Sequence, residues 1–252
     1  MKRANNRTEV QDVPPMTQQR AGRRARAGTP VTAVDVIRDR ILDLTLAPGM
    51  RIDDSVLMTK FGITRTPARE AFNRLAAEGL IVIQRNKGAT VRALDIAHIS
   101  QFFDAYGASE RLVGFFCRTQ EPDLVADLEA VERRYEQAGH AGHYIELTRI
   151  NSEFHRRIAA SSGNEYITDF ANTLYNHARR LSYFIYLMTD GGGAIKQMQH
   201  EISGHHEDII ASIRAGDNAQ LIKVLTQHAG YFHQWVTVAI STTRGLEAPL
   251  PA

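Results

Sequence analysis

The stretch from Ala47 to Val91, APGMRIDDSVLMTKFGITRTPAREAFNRLAAEGLIVIQRNKGATV, decides the fold of the front of the chain. Pro48-Gly49 stops any helix before it and opens a turn. Behind the acidic pair Asp53-Asp54, residues 53–61 read as a short helix that Gly62 ends. Pro67 suits the first turn of the next helix, whose apolar stripe is Ala71, Phe72 and Leu75, and Gly79 stops it. Two β-like runs follow, Ile81 to Arg85 and Ala89 to Arg92, with Asn86-Lys87-Gly88 as a hairpin turn between them. Upstream, Val36, Ile37, Ile41, Leu42 and Leu44 keep near a 3.6 period and predict one amphipathic helix over 33–46. Three helices followed by a hairpin make a winged helix-turn-helix.

That motif places the N-terminal residues of its second paired helix in the major groove of DNA. Here they are Thr64, Arg65, Thr66 and Arg69. Threonine hydroxyls and backbone N–H groups at a helix start can hold phosphates, and Arg can bond bidentately to guanine O6 and N7. Arg85 and Lys87, in the hairpin turn, are placed to approach a neighbouring minor groove or phosphate. The competing reading is a winged helix that binds protein, its arginines ordinary solvated charges.

Charge separates the two. The net charge of the 252 residues is only +2, but residues 1–94 hold 17 Lys and Arg against 9 Asp and Glu, and residues 95–252 hold 13 against 19. A basic front suits a nucleic-acid partner. All ten histidines, His98 to His233, lie in the acidic part. The single cysteine, Cys117, excludes an internal disulfide framework and a Cys-based zinc finger. No apolar run is long enough to span a bilayer, and the polar N-terminus is not that of a secretory signal. Four segments are expected: a disordered basic arm over 1–30, a DNA-binding domain over 31–94, an all-helical domain over 95–242 and a flexible tail over 243–252. The arm, with Arg20, Arg23, Arg24 and Arg26, is either a solvated tail or a further source of phosphate contacts.

From Asp95 onward helices are expected at about 95–118, 122–138, 143–161, 165–188, 194–214 and 218–242, packed as an antiparallel bundle. The fold is therefore mainly α. Asn151 and His155 share a helix face at i, i+4. His206 and His228 lie at similar distances on either side of the Gly216-Asp217 turn, so antiparallel pairing sets them at similar heights. Three imidazoles and one amide oxygen suit Zn, Ni or a similar divalent ion. Each His could equally be a hydrogen-bonded core or surface residue, and spacing alone leaves both readings open.

Two resemblances bear on this. The pattern over residues 34–93, above all Thr64 to Ala71 followed by Arg74-Leu75, resembles the GntR family of bacterial regulators. That likeness implies DNA contacts from Thr64, Arg65, Thr66, Arg69 and the wing around Arg85, Lys87 and Gly88. Asn86 stands where the family often has Gly, and Asn tolerates positive φ. Residues 95–240 resemble the ligand-binding domain of the FadR subfamily, the all-helical FCD type. The matching pieces are Asn151 to His155, Ser162 to Asn164, His206 to Asp217, and His228. The likeness implies a divalent metal on Asn151, His155, His206 and His228, with a small organic acid bound beside it. It also implies a pocket-lining Arg at Arg111 that could clamp a carboxylate; a surface or dimer-interface ion pair is the alternative there.

These features imply a homodimeric bacterial regulator, cytoplasmic and without a membrane partner, that reads a pseudo-palindromic operator in double-stranded DNA. Two other classes remain open at this point. A three-His site can activate water, as in a metal-dependent enzyme. Against that, His206-Glu207-Asp208-Ile209-Ile210 lacks the second His of H-E-x-x-H, and no G-x-S-x-G elbow, P-loop or dinucleotide fingerprint is present. The back part could also be a plain dimerisation module with no small ligand.

Overall fold

The computed structural model describes residues 32–84, 88–189 and 192–242. The expectations for the arm at 1–30, for Arg85 and Lys87 at the wing tip, and for the tail at 243–252 lie outside the described residues.

The front begins with α1 (Ala33–Leu42), which starts at a capping box: the Thr32 hydroxyl accepts from the Asp35 N–H, and the Asp35 carboxylate accepts from the Thr32 N–H. Its buried stripe is Val34, Ile37, Ile41 and Leu42. The helix ends four residues earlier than its apolar period suggests. Leu44 turns into the left-handed region at φ 59 and buries its side chain in the core of the helical bundle instead. Next come β1 (Arg51–Ile52), α2 (Asp54–Phe61) and α3 (Arg65–Ala77). Asp53 caps α2 by accepting from the Ser55 and Val56 N–H groups, and Gly62 closes it at φ 66. Ala68, Ala71, Phe72 and Leu75 bury one face of α3, so its N-terminal turn is left facing outward.

The wing is β2 (Ile81–Gln84) and β3 (Gly88–Val91), paired antiparallel with Ile83 opposite Ala89. The strand β1 pairs with the other edge of β3, giving the order β1-β3-β2. The sequence did not reveal β1, because two residues carry no period. Gly88 makes this third strand possible. Its φ is +82, and a Cβ there would stand 2.5 Å from the Ile52 carbonyl oxygen.

The back part is α4 (Ile96–Phe116), α5 (Leu124–His140), α6 (Tyr144–Ala160), α7 (Glu165–Met188), α8 (Gly192–Ala215) and α9 (Asn218–Thr242). These match the expected helices to within a few residues at each end. The α4 helix packs on α7 and α9, α5 on α6 and α8, and α7 on α6 and α9. Asn218, at the start of α9, donates to the Gly114 and Cys117 carbonyls and so meets the open end of α4. No helix among the described residues is long and apolar enough to cross a membrane.

The head is held to the bundle chiefly through α7. His177 Nε2 lies 2.8 Å from the Glu78 carbonyl oxygen at the C-cap of α3, and Arg179 pairs with Asp39 at 3.0 Å. The buried Arg180 guanidinium donates to the Arg92 carbonyl at 2.6 Å. Glu78 also receives both arms of Arg38, from α1, at 2.8 and 2.5 Å. A bidentate pair of this kind, only about a fifth exposed on each side, is stronger than an open surface pair.

The two glycines differ in a measurable way. Gly62 has open space where a Cβ would go, so Gly62→Ala should cost only the left-handed strain, about 1–2 kcal/mol. Gly88→Ala adds a clash with the β1 backbone and should cost about 3 kcal/mol or more. Equal losses in thermal or urea unfolding would show that β1 does not approach Gly88 closely.

Candidate DNA-reading head and metal centre

At the start of α3, Thr64, Arg65, Thr66 and Arg69 are all exposed. Thr64 is the N-cap residue, yet its side chain makes no capping hydrogen bond, so its hydroxyl is available to an outside acceptor or donor. Arg65 is 81% exposed and lies 3.2 Å from Asp54. An exposed pair of that kind contributes under about 1 kcal/mol and yields readily to a phosphate or base. Arg65, Arg69, Asn73, Gln84 and Gly88 line one groove between α3 and the wing. Arg51 of β1 lines it too, a residue that sequence reading missed together with its strand. Gly88 lines the groove through its backbone alone, and its close approach to Ile52 assigns it to packing of the sheet rather than to a side-chain contact.

In the bundle, α6, α8 and α9 each deliver one buried imidazole: His155, His206 and His228. One nitrogen from each lies within 4.8 Å of the others. Nitrogens sharing a zinc at 2.0–2.1 Å stand roughly 3 Å apart, so a bound ion would draw the rings slightly closer. Among the described residues no other group of three His, Cys, Asp or Glu side chains is brought together in this way. Asn151 Oδ1, one turn before His155, lines the cavity beside His228.

The donor set fits a divalent cation on three counts. Both nitrogens of His155, Nε2 of His206, Nδ1 of His228 and Oδ1 of Asn151 are buried without a hydrogen-bond partner. Each such group costs about 1–3 kcal/mol, and structural zinc returns about 10–16 kcal/mol through one atom of each residue, which leaves the second His155 nitrogen outside the coordination. Burial pushes His155 down to about 3 and His228 well below its ordinary range, so both present neutral lone pairs. Finally, His206 is already oriented: its Nδ1 lies 2.5 Å from the Glu132 carboxylate, which also accepts from the Ser203 hydroxyl. A carboxylate behind a ligating His fixes its tautomer and leaves Nε2 for metal.

Sequence reading missed Glu132 and Glu110. Glu110 is fully buried, 3.8 Å from His155 Nδ1, and burial raises its carboxyl to about 8. Both acids interrupt otherwise apolar stripes, Phe103-Tyr106-Val113 on α4 and Leu128-Val131-Tyr135 on α5. A lone acid in such a stripe was the signal. Arg111 is exposed and is not among the residues lining the cavity, whereas its neighbour Glu110, about 100° around the helix, is buried in the bundle. His205 is half-buried with its ring 5.6 Å from that of His228.

An exposed reading helix on a winged head, joined to a helical bundle, defines a DNA-binding transcriptional regulator. Residues 30–91 match the gntR family of bacterial regulatory proteins, and residues 110–230 match the FCD domain. The chain thus carries a gntR-family helix-turn-helix domain followed by an FCD domain. It is 27% identical over 206 residues to the gluconate operon transcriptional repressor of Bacillus licheniformis, covering 81% of this chain and 83% of that one. It is 25% identical over 178 residues to the Nta operon transcriptional regulator of Aminobacter aminovorans, covering 69% and 80%. Among solved structures, E. coli McbR/YncC superposes with a TM-score of 0.70 at 17% identity, over 82% of this chain and 95% of that chain. The family and these relatives are regulators, not enzymes.

Replacing both His155 and His206 with Ala should abolish stoichiometric zinc or nickel uptake, read by elemental analysis after dialysis. Glu132→Gln should keep the site but weaken metal affinity about 10- to 100-fold. Full metal content in the double variant would refute the centre.

Proposed function

We propose that the protein is a homodimeric repressor that reads a pseudo-palindromic operator in the bacterial cytoplasm, residues 31–94 binding DNA and residues 95–242 sensing a ligand. Arg65 and Arg69 read base edges, with Thr64 and Thr66 on phosphates and the wing residues Arg85, Lys87 and Gly88 alongside. Asn151, His155, His206 and His228 hold a divalent ion, zinc or nickel, which supplies a positive centre for one carboxylate of a small organic acid. With four neutral ligands the ion keeps its full charge.

The observation that carries the switch is the position of α7. Its Ala178, Ser182 and Ile185 line the cavity beside Asn151 and His228, while Asn176, His177, Arg179 and Arg180 contact Glu78, Asp39 and Arg92 of the head. A ligand that displaces the cavity-facing side of α7 therefore acts on the C-cap of the reading helix. It can change DNA affinity only by its differential affinity for the two arrangements. Repression relieved by the acid is the expected sign. For the dimer, Leu112, Phe115 and Phe116 expose an apolar face on α4 that a second copy can cover.

Arg65→Ala or Arg69→Ala should reduce operator affinity about 10-fold or more while leaving the circular dichroism spectrum and melting unchanged. Undiminished specificity in both would remove the reading-head assignment. Phe115→Glu should shift the protein toward monomer in sedimentation velocity; an unchanged dimer would place the interface elsewhere.

A further inference from the structure

The cavity beside the histidine cluster has a volume of about 40 Å³ and two unlike ends. At one end stand Asn151 and His228, whose Oδ1 and Nδ1 have no hydrogen-bond partner, with Tyr231 nearby. The remainder is mostly carbon, from Ile185 on α7, Met198 and Ile202 on α8, and Phe232 and Trp235 on α9, with Tyr106, Ser182 and Tyr186 also on the wall. None of the lining residues is Lys, Arg, Asp or Glu. We infer that the ligand is a monocarboxylic acid whose remainder is hydrocarbon, a single ring or a short branched chain, with its carboxylate on the metal. This rests on the metal-and-acid reading above and narrows it to one class.

Charge and packing exclude the alternatives. The ion is the only positive centre at the cavity, so one carboxylate is compensated there. A second or third carboxylate would lie against Ile202, Phe232 or Trp235 without a cation, and an unpaired buried charge costs far more than a neutral group. A polyhydroxylated acid finds only the hydroxyl-bearing Tyr106, Ser182, Tyr186 and Tyr231 on the wall beyond Asn151 and His228, and each of its own hydroxyls left without a partner there costs about 1–3 kcal/mol. A hydrocarbon remainder gains instead, at about 25 cal/mol per Å² removed from water. Met198, unbranched and polarizable, can follow the shape of either a ring or a branched chain. The cavity is smaller than the roughly 150 Å³ that accepts a benzene ring. Entry of such a body must therefore spread its walls, and one of those walls is α7.

The test uses the full-length protein, stripped with chelator and reloaded with zinc or nickel, with metal stoichiometry measured independently of ligand binding. Benzoate, isovalerate, citrate and gluconate are then titrated by calorimetry and by melting-temperature shift. Benzoate or isovalerate should bind at least 10-fold more tightly than citrate or gluconate. Trp235→Ala should lower that affinity about 10-fold with metal content unchanged. Citrate or gluconate binding as tightly to the loaded protein overturns the hydrocarbon class and leaves the metal-and-acid reading standing. Metal uptake with no response to any of the four acids overturns the class and the acid together. Failure of the wild-type protein to take up metal overturns both this inference and the metal centre.

Discussion

Three imidazoles and an amide oxygen sit inside the bundle with nitrogen and oxygen atoms that no protein donor or acceptor satisfies. Natural interiors rarely leave so many polar atoms unmatched in one place, because each one subtracts a sizeable fraction of a domain's net stability. The bundle can carry them only if something else completes them. That requirement ties together α6, α8 and α9, which supply the rings, and α4 and α5, which supply the buried acids Glu110 and Glu132 behind them. Five of the six helices thus meet at one polar point within an otherwise apolar core.

The sixth, α7, gives that point its reach. One side of it faces the cavity, and another grips the head through His177, Arg179 and Arg180. Glu78 stands at the meeting place, held by Arg38 from within the head and approached by Asn176 and His177 from the bundle. Coupling between a ligand site and a distant surface is physically grounded where one element with two arrangements is biased by both. Here one helix both lines the cavity and contacts the head, through Glu78 at the C-cap of α3 and through Asp39 and Arg92.

Much of the fold was legible in advance, for local reasons. Caps such as Thr32, Asp53, Asp95 and Asn164, and turns at Gly62, Gly79 and Gly216, act within a few residues of themselves. Helices set by such signals fell where the period and the breakers placed them. The failures share one origin. Leu44 left its helix because the core that receives it comes from distant helices, and β1 formed because β3 offered it an edge. Gly88 was legible as a turn residue, but its need to be glycine arises from Ile52, 36 positions away.

By itself the sequence determined the helices and the hairpin of the wing, the residues at the start of α3, and the heights at which Asn151, His155, His206 and His228 lie along their own helices. Helical rise and rotation per residue are nearly constant, so those quantities follow from counting. Only the tertiary structure decided which faces meet. It turned Glu110 inward and Arg111 out, set Glu132 behind His206, and gave the cavity walls without a charged side chain. Each of these depends on the rotation of one helix against another far away in the chain. That rotation is fixed by the packing of whole apolar surfaces, which no short stretch of sequence contains.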